Sequence, residues 1–324
     1  MNKIKWGIIG CGDVTEVKSG PAFNKVPNSE LVAVMRRSED KVKNYARRHN
    51  VPKWYTDAAQ LINDPDVNAI YVATPPSSHE EYTLAAINAG KPVYVEKPMS
   101  LNAAAANNMA KAAKEKNVKL TVAHYRRAQP LFRKIKQLID EKAIGDILFV
   151  RSEAYRKPAT QEYLTAAHTG WRVDAAIAGG GLFNDISPHQ LDLMYYFFGE
   201  PAKVSGYATN QGGAYQSDDI VAGHILFKNE VVFDGLWCFN APEERDQCEI
   251  MGSTGKIVFT FFEQKPVYLT INGKTETITF DPLQHVQQPM IEKVVDYFLG
   301  GGPNPNSAEE GVTVMQLIDK FIAK

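Results

Sequence analysis

Lys5-Trp6-Gly7-Ile8-Ile9-Gly10-Cys11-Gly12-Asp13-Val14-Thr15 opens the chain and decides how its first half is read. A short apolar run ends in a Gly-x-Gly turn, and the turn opens a helical pattern. Tight strand-to-helix turns need glycine in many settings, so the pair alone says little. Its context says more. Apolar runs recur at Lys5 to Ile9, Leu31 to Met35, Ala69 to Ala73, Pro92 to Val95 and Lys119 to Ala123, with helical stretches such as Asp40 to His49, Ser78 to Ala89 and Leu101 to Lys116 between them. Strands separated by helices of that length imply βαβ units and a doubly wound parallel sheet. Asn88-Ala89-Gly90 followed by Lys91-Pro92 is a helix stop of glycine and then proline. In this setting the turn lets backbone N–H groups at Gly10, Gly12, Asp13 and Val14 approach a pyrophosphate. Thr15 stands where the dinucleotide fingerprint has its third glycine, so helix and strand are expected to pack slightly farther apart there.

The ends of the later strands carry the remaining signals. The second strand of an NAD-binding unit normally ends in an acid that binds the ribose 2′-hydroxyl. This chain reads Val34-Met35-Arg36-Arg37-Ser38 instead. Guanidinium groups bind phosphate bidentately, so Arg36 and Arg37 favour NADP and leave NAD as the alternative. Ala73-Thr74-Pro75-Pro76-Ser77-Ser78-His79 is a rigid loop in which Ser77 or Ser78 can cap the next helix. Thr74, Pro75 and His79 are candidate cofactor contacts there, the alternative for His79 being a surface helix position. Val93-Tyr94-Val95-Glu96-Lys97-Pro98 delivers a carboxylate and an amine to a strand's C-terminal end, where ligands of open α/β sheets bind. Glu96 and Lys97 join the candidate site on that ground.

A chain of 324 residues exceeds the usual size of one core, and two domains are expected, 1–123 and 124–324. Net charge is −1, so no basic excess recommends nucleic acid, and no run of about 18 apolar residues recommends a membrane span. Cys11, Cys238 and Cys248 are an odd number without metal-ligand spacing, which suits a reducing compartment and no metal. With a strand starting near Ile4 there is no room for a signal peptide, and a cytoplasmic location is expected.

Beyond Arg127 a helical stretch, Pro130 to Lys142, precedes runs of strand character: Ile147 to Ser152, Ala202 to Tyr207, Ile220 to Phe227, Val231 to Phe239, Glu249 to Met251, Lys256 to Phe261 and Val267 to Ile271. Hairpin-like turns such as Asn272-Gly273 imply antiparallel pairing. The expected whole is an α/β protein, an N-terminal Rossmann sheet followed by an α+β domain with a large, mostly antiparallel sheet. In Gly179-Gly180-Gly181-Leu182-Phe183-Asn184-Asp185-Ile186-Ser187-Pro188-His189-Gln190, Ser187 reads as an N-cap, Pro188 as the first helical residue and Gln190 as the partner in a capping box. That would put His189 in a first helical turn, where the dipole favours a neutral imidazole.

Gly10-x-Gly12, Ala73-Thr74-Pro75-Pro76 with His79, Ala89-Gly90-Lys91-Pro92-Val93 and Glu96-Lys97-Pro98, in this order and spacing, resemble the Gfo/Idh/MocA oxidoreductase family. The likeness continues through His124-Tyr125-Arg126-Arg127, Ile144-Gly145-Asp146-Ile147, Trp171-Arg172, Gly179-Gly180-Gly181, Asp185 and His189, and thins after about residue 260. Two departures are Thr15 and the Ser187-Pro188 pair, which stands where the family often has a glycine. The resemblance implies hydride transfer between a nicotinamide nucleotide and a CH–OH group of a sugar, cyclic polyol or related diol. It gives His189 the role of base or relay, lets Lys97 position the reacting oxygen and share the proton, and has Asp185 orient substrate or lysine. It puts Arg172 near the substrate; Trp171, Tyr155, Tyr163 and His168 are added on position and on the suitability of aromatic and polar groups for a sugar. It also implies a homodimer or homotetramer through the C-terminal sheet. Two rival readings share the fold. One is a glycoside hydrolase that retains its nucleotide, the other a non-catalytic sugar- or nucleotide-sensing protein.

Overall fold

In the computed structural model, which describes residues 2–263 and 265–323, the first half forms a six-stranded parallel sheet. Its strands are β1 (Ile4–Ile9), β2 (Ser29–Met35), β3 (Lys53–Tyr55), β4 (Ala69–Val72), β5 (Val93–Val95) and β6 (Leu120–Val122). They lie in the order β3-β2-β1-β4-β5-β6, so the order reverses between β1 and β4, and the loops leaving those two strands lie side by side. Helices α1 (Asp13–Val17), α2 (Glu39–Arg48), α3 (Ala58–Asn63), α4 (His79–Asn88) and α5 (Ala103–Glu115) connect the strands. Two of these helices are capped by the short polar side chain that precedes them. Asp57 accepts a bond from the Gln60 amide at 3.1 Å, and Asn102 from the Ala105 amide at 2.9 Å. Gly90 takes the left-handed conformation (φ 70°) after α4, as the helix-stop reading requires. β3 and α3 carry weak signals because β3 is a three-residue edge strand with no fully buried residue.

Glu16 ties α1 to the end of α2. Both its oxygens accept from Arg48 at 2.7 Å, and His49 Nε2 lies 2.9 Å away. The Arg48 hydrogen bonds, with help from His49, hold the carboxyl at about 2. A carboxyl lowered on folding stabilises the fold above its ordinary range and loses that contribution as pH falls from near 4.5 towards 2. The group is about one-third exposed, so water screens it and the contribution is about 1 kcal/mol. Glu16→Gln is expected to lower unfolding stability by about that amount at pH 7. The gap to wild type should close between pH 4.5 and 2, which denaturant titrations followed by circular dichroism at several pH values would measure.

The second half builds an eight-stranded sheet from β7 (Ile147–Tyr155), β8 (Pro201–Thr209), β9 (Ile220–Phe227), β10 (Val232–Cys238), β11 (Arg245–Gly252), β12 (Gly255–Phe259), β13 (Val267–Ile271) and β14 (Lys274–Ile278), in the order β14-β13-β12-β11-β7-β10-β9-β8. Pairing is antiparallel except between β7 and β10, which run parallel. At Asn272-Gly273 both residues have positive φ (49° and 78°), the geometry of a two-residue hairpin turn, and β14 follows. The helices of this part are α6 (Pro130–Asp140), α7 (Gln161–Thr165), α8 (Ala175–Ala178) and α9 (Gly181–Phe198). α9 covers one face of the sheet: Phe183 stacks edge-on to Trp237 with centroids 5.1 Å apart, and Phe198 meets Phe227 at 5.5 Å. The opposite face carries Phe149, Val232, Leu236, Tyr207 and Tyr268, all exposed, Tyr207 to 77%.

The last two helices are α10 (Gln288–Leu299) and α11 (Ala308–Phe321). Residues 1–129 and 283–315 form one compact unit, and 130–282 with 316–324 form the other. The sequence reading divides the chain at 123/124 and keeps the C-terminus in the second part. The difference has a physical cause: Met290, Ile291, Val294, Val295 and Phe298 of α10 are buried in the same core as Trp6, Phe23, Tyr71 and Tyr94, and Trp6 lies 5.6 Å from Phe298. Such a contact depends on partners nearly 300 positions apart and leaves no local pattern. In the second unit, Phe321 of α11 fills the space over Gly223, where a Cβ would come within 2.2 Å of its ring. Among the described residues no helix is long and apolar enough to cross a membrane.

Candidate active site

The first unit carries the glycine turn at the switch point of its sheet. Gly10 has φ 91°, and a Cβ there would strike Thr74 Cγ2 at 2.6 Å and Thr74 N at 2.8 Å, so only glycine lets the β1 turn pass the β4 loop. The amides of Gly10 and Cys11 donate to Met35 O at 2.9 and 3.2 Å, and Arg36 Nη1 donates to Cys11 O at 3.2 Å. Arg36 therefore braces the turn as well as standing at the end of β2, while Arg37 is exposed. A Cβ on Gly12 would meet nothing nearer than Gly10 O at 3.9 Å, which leaves room for a ligand at the turn. α1 is only five residues long, and Asp13 and Val14 form its first turn, where backbone amides have no partner within the helix. Thr15 is fully buried and closes the turn itself, its hydroxyl donating to Gly12 O at 2.8 Å and its carbonyl accepting from Tyr45 at 2.8 Å.

Two expectations about the β4 loop change. Ser78 precedes α4 but does not cap it; its hydroxyl lies 2.9 Å from the Thr74 hydroxyl and 3.2 Å from Pro75 O, stiffening the loop. His79 is buried, not on the surface. Its Nε2 lies 2.7 Å from Thr74 O and its Nδ1 2.9 Å from Pro98 O, and burial holds its pKa below the usual histidine value. A neutral imidazole has one N–H, so His79 donates to one of these two carbonyls and lies against the other, between the β4 loop and the Lys97-Pro98 segment.

Glu96 is also turned inward. Its Oε1 accepts from Tyr71 at 2.5 Å and from Gln287 Nε2 at 2.6 Å, and its Oε2 from the Lys97 amide at 3.2 Å. Burial, and then the Glu96 charge, push the Tyr71 and Tyr94 phenols well above their ordinary range. Glu96 thus fixes the end of β5, and half-buried Lys97 follows it at a cis peptide with Pro98. Gln287, the residue before α10, escapes sequence reading because its partner lies 191 positions away.

The second unit carries the remaining candidates. α9 starts at Gly181, not at Ser187-Pro188, so the expected cap is overturned and Pro188 lies inside the helix. An interior proline costs about 3 kcal/mol. Burial of Leu182, Phe183, Leu191, Leu193, Met194, Phe197 and Phe198 along the helix outweighs that cost. The glycines before it serve the turn: Gly179 (φ 91°) closes α8, and Gly181 (φ 74°) begins α9. His189 is consequently buried deep in the helix, beyond the reach of a dipole effect confined to the first turn. Asp185, His189 and Asp192 follow the i, i+4, i+7 spacing of one helix face. The His189 ring packs edge-on against Phe262 at 5.8 Å, and the Phe262 turn is held by Asp246, which accepts from the amides of Phe261, Phe262 and Glu263.

Arg172 joins this group. Its Nε lies 3.2 Å from Asp185 Oδ2, its Nη1 donates to His168 O at 2.6 Å, and its guanidinium sits 4.4 Å from the Trp171 ring centre. Tyr163, on α7, is near enough to feel both charges; burial, the largest influence, raises its pKa, Arg172 lowers it and Asp185 raises it. The His168 side chain is exposed and contributes only its carbonyl to the group. Tyr155 is set apart: it donates to Glu153 at 2.8 Å beneath Arg245, on the sheet face that α9 does not cover. Strand alternation separates it from Ala154, which faces the helices.

Residues 4–124 match the Gfo/Idh/MocA model for an oxidoreductase family with an NAD-binding Rossmann fold, and residues 132–258 match the Gfo/Idh/MocA C-terminal domain. The chain belongs to the Gfo/Idh/MocA oxidoreductase family. It is 48% identical to oxidoreductase P35 of Formosa agariphila over 99% of this chain and 98% of that one. It is 31% identical to 1,5-anhydro-D-fructose reductase of Ensifer adhaerens over 81% and 78% of the two chains. A solved structure of levoglucosan dehydrogenase in complex with NADH shares the fold, with TM-score 0.90 at 23% identity over 98% of this chain and 96% of that one. This family member is an oxidoreductase that uses a nicotinamide nucleotide. The open turn at Gly10-Cys11-Gly12 fits the pyrophosphate of such a nucleotide.

Proposed function

We propose that this oxidoreductase interconverts a CH–OH group and a carbonyl in a sugar, cyclic polyol or related diol. The observation that carries the reading is the pairing of Arg172, from the turn before α8, with Asp185 of α9, one turn from His189, with Trp171 and Tyr163 beside it. Aromatic faces stack on sugar C–H groups while paired charges take hydroxyls, and the names of several relatives, an anhydrofructose reductase among them, agree with that chemistry. A nicotinamide nucleotide, when bound, would supply or accept the hydride. For alcohol oxidation the chain must remove the hydroxyl proton as the hydride leaves. We assign that proton to His189, the positioning of the oxygen to Lys97, and the orientation of the substrate to Asp185 and Arg172. A cofactor-reduction screen with both nucleotides against sugars and polyols tests the reading, and an inert panel overturns it.

NADP is the proposed nucleotide, on the strength of Arg36 and Arg37 where an acid is usual. Replacing both by alanine is expected to weaken NADP binding by about tenfold to a hundredfold, the range for lost hydrogen bonds to a charged group. NAD should change by no more than about threefold, through loss of the Arg36 brace on Cys11 O, and Arg37→Ala alone should spare NAD. Calorimetric titration of both nucleotides measures this, and equal losses would remove the argument. We further propose a homodimer or homotetramer through the exposed sheet face that carries Phe149, Val232 and Leu236. A cytoplasmic location completes the reading.

A further inference from the structure

The loop between β8 and β9 is fastened by the side chains of Asn210, Ser217 and Asp219. The Asn210 side chain donates to the carbonyls of Tyr215 at 2.5 Å and Ser217 at 3.0 Å and accepts from the Gly213 amide at 2.9 Å. Buried Asp219 accepts from the amides of Gln211 and Gly212 at 2.9 and 2.7 Å and from Asn240 at 3.0 Å. Ser217 donates to Val173 O at 3.3 Å, which joins the loop to the turn carrying Trp171 and Arg172. One group is left over. The Tyr215 hydroxyl is shut off from solvent and meets no hydrogen-bond partner among the described residues.

Its position gives that leftover group a use. A Cβ on Gly181 would come within 3.8 Å of Tyr215 Cε2, so the ring lies over the first residue of α9, one turn before Asp185. The Tyr163 phenol is within electrostatic reach of Tyr215 and also of Arg172 and Asp185. A buried hydroxyl without a partner costs stability that a phenylalanine would spare, so it needs an occupant to satisfy it. The surroundings select that occupant. Burial, and then the charge of Asp219, hold the phenol in its neutral form, and a second carboxylate at Asp185 disfavours an anion, while the guanidinium of Arg172 is already paired. A neutral phenol next to these groups suits an alcohol, which can donate and accept in turn.

We propose that Tyr215 is a substrate-binding residue whose phenol hydrogen-bonds a hydroxyl of the sugar or polyol other than the one oxidised. The assignment rests on the sugar or polyol reading above, and it makes Tyr215 a determinant of which hydroxyl pattern is accepted. Tyr215→Phe removes one oxygen and keeps the ring. The variant should melt at or slightly above the wild-type temperature, because the buried hydroxyl makes no bond within the protein. On the best substrate of a sugar panel its kcat/KM should fall about tenfold, mostly through KM, as expected for one lost neutral hydrogen bond. A set of monodeoxy analogues then locates the contact. One analogue should cost the wild type about tenfold and cost Tyr215→Phe nothing further, because the partner it lacks is already gone. If wild type turns over the panel while Tyr215→Phe keeps its kcat/KM, the assignment alone is overturned. If wild type is inert across the panel, the sugar reading falls and the assignment with it.

Discussion

Lys97→Ala is expected to lower turnover by about two to four orders of magnitude, the range for removing a positioned proton-transfer group, while folding and nucleotide affinity stay near wild type. The structure says why the loss should be confined to chemistry. The end of β5 is held by groups other than the lysine side chain: Glu96 accepts from Tyr71, Gln287 and the Lys97 amide, and the amide survives the substitution. His79 holds the next peptide through Pro98 O. The glycine turn proposed to receive the nucleotide is fixed by Met35 O, Arg36 and Thr15, none of which involves Lys97. An alanine there therefore leaves the strand end and the turn in place. Steady-state rates beside calorimetric nucleotide affinity measure the two consequences separately. Normal turnover in the variant would reduce Lys97 to a half-buried strand-end residue, and a joint loss of affinity and melting temperature would make it structural.

What the sequence discloses here is what short runs encode. The β1 run with its Gly-x-Gly turn, the Asn272-Gly273 hairpin and the Glu96-Lys97-Pro98 strand end are each legible because conformation or chemistry is set by adjacent residues. Ser187-Pro188 shows the opposite. Its local signal for a helix start is sound, yet α9 begins seven residues earlier because its buried face binds the helix to the sheet more strongly than one interior proline opposes it. The start at Gly181 puts His189 in the middle of a helix instead of at its end and removes one physical argument about its protonation. Edge strands such as β3 and β14 carry too little burial to leave an alternating pattern. Gln287, Asp246 and Tyr215 acquire their places from residues far along the chain, and nothing adjacent to them marks those places.

His189→Asn carries the other large expected effect, a loss of about two to four orders of magnitude in turnover with nucleotide affinity close to wild type. Asparagine keeps a polar amide of similar reach but cannot take up a proton at neutral pH, so it separates proton transfer from packing. Packing is the chief rival explanation. The imidazole is buried against Phe262, whose turn hangs on Asp246, so a smaller side chain should also cost some melting temperature. The pH profile resolves the two. A base must be deprotonated to act, so wild-type alcohol oxidation should fall at acid pH as the imidazole takes a proton, and in His189→Asn that acidic limb should vanish from the residual rate. A packing defect would scale the profile down and leave its shape. Nucleotide affinity should hold because the turn proposed to receive the nucleotide is held by contacts among Gly10, Cys11, Met35 and Arg36, none of which involves His189. The same experiment sorts the rival functions. A sensing protein has no turnover to lose and would show only altered affinity for a sugar, whereas a nucleotide-retaining hydrolase would release product without net cofactor reduction. Retained turnover in His189→Asn with an unchanged acidic limb would falsify its role as base and leave the proton to another group.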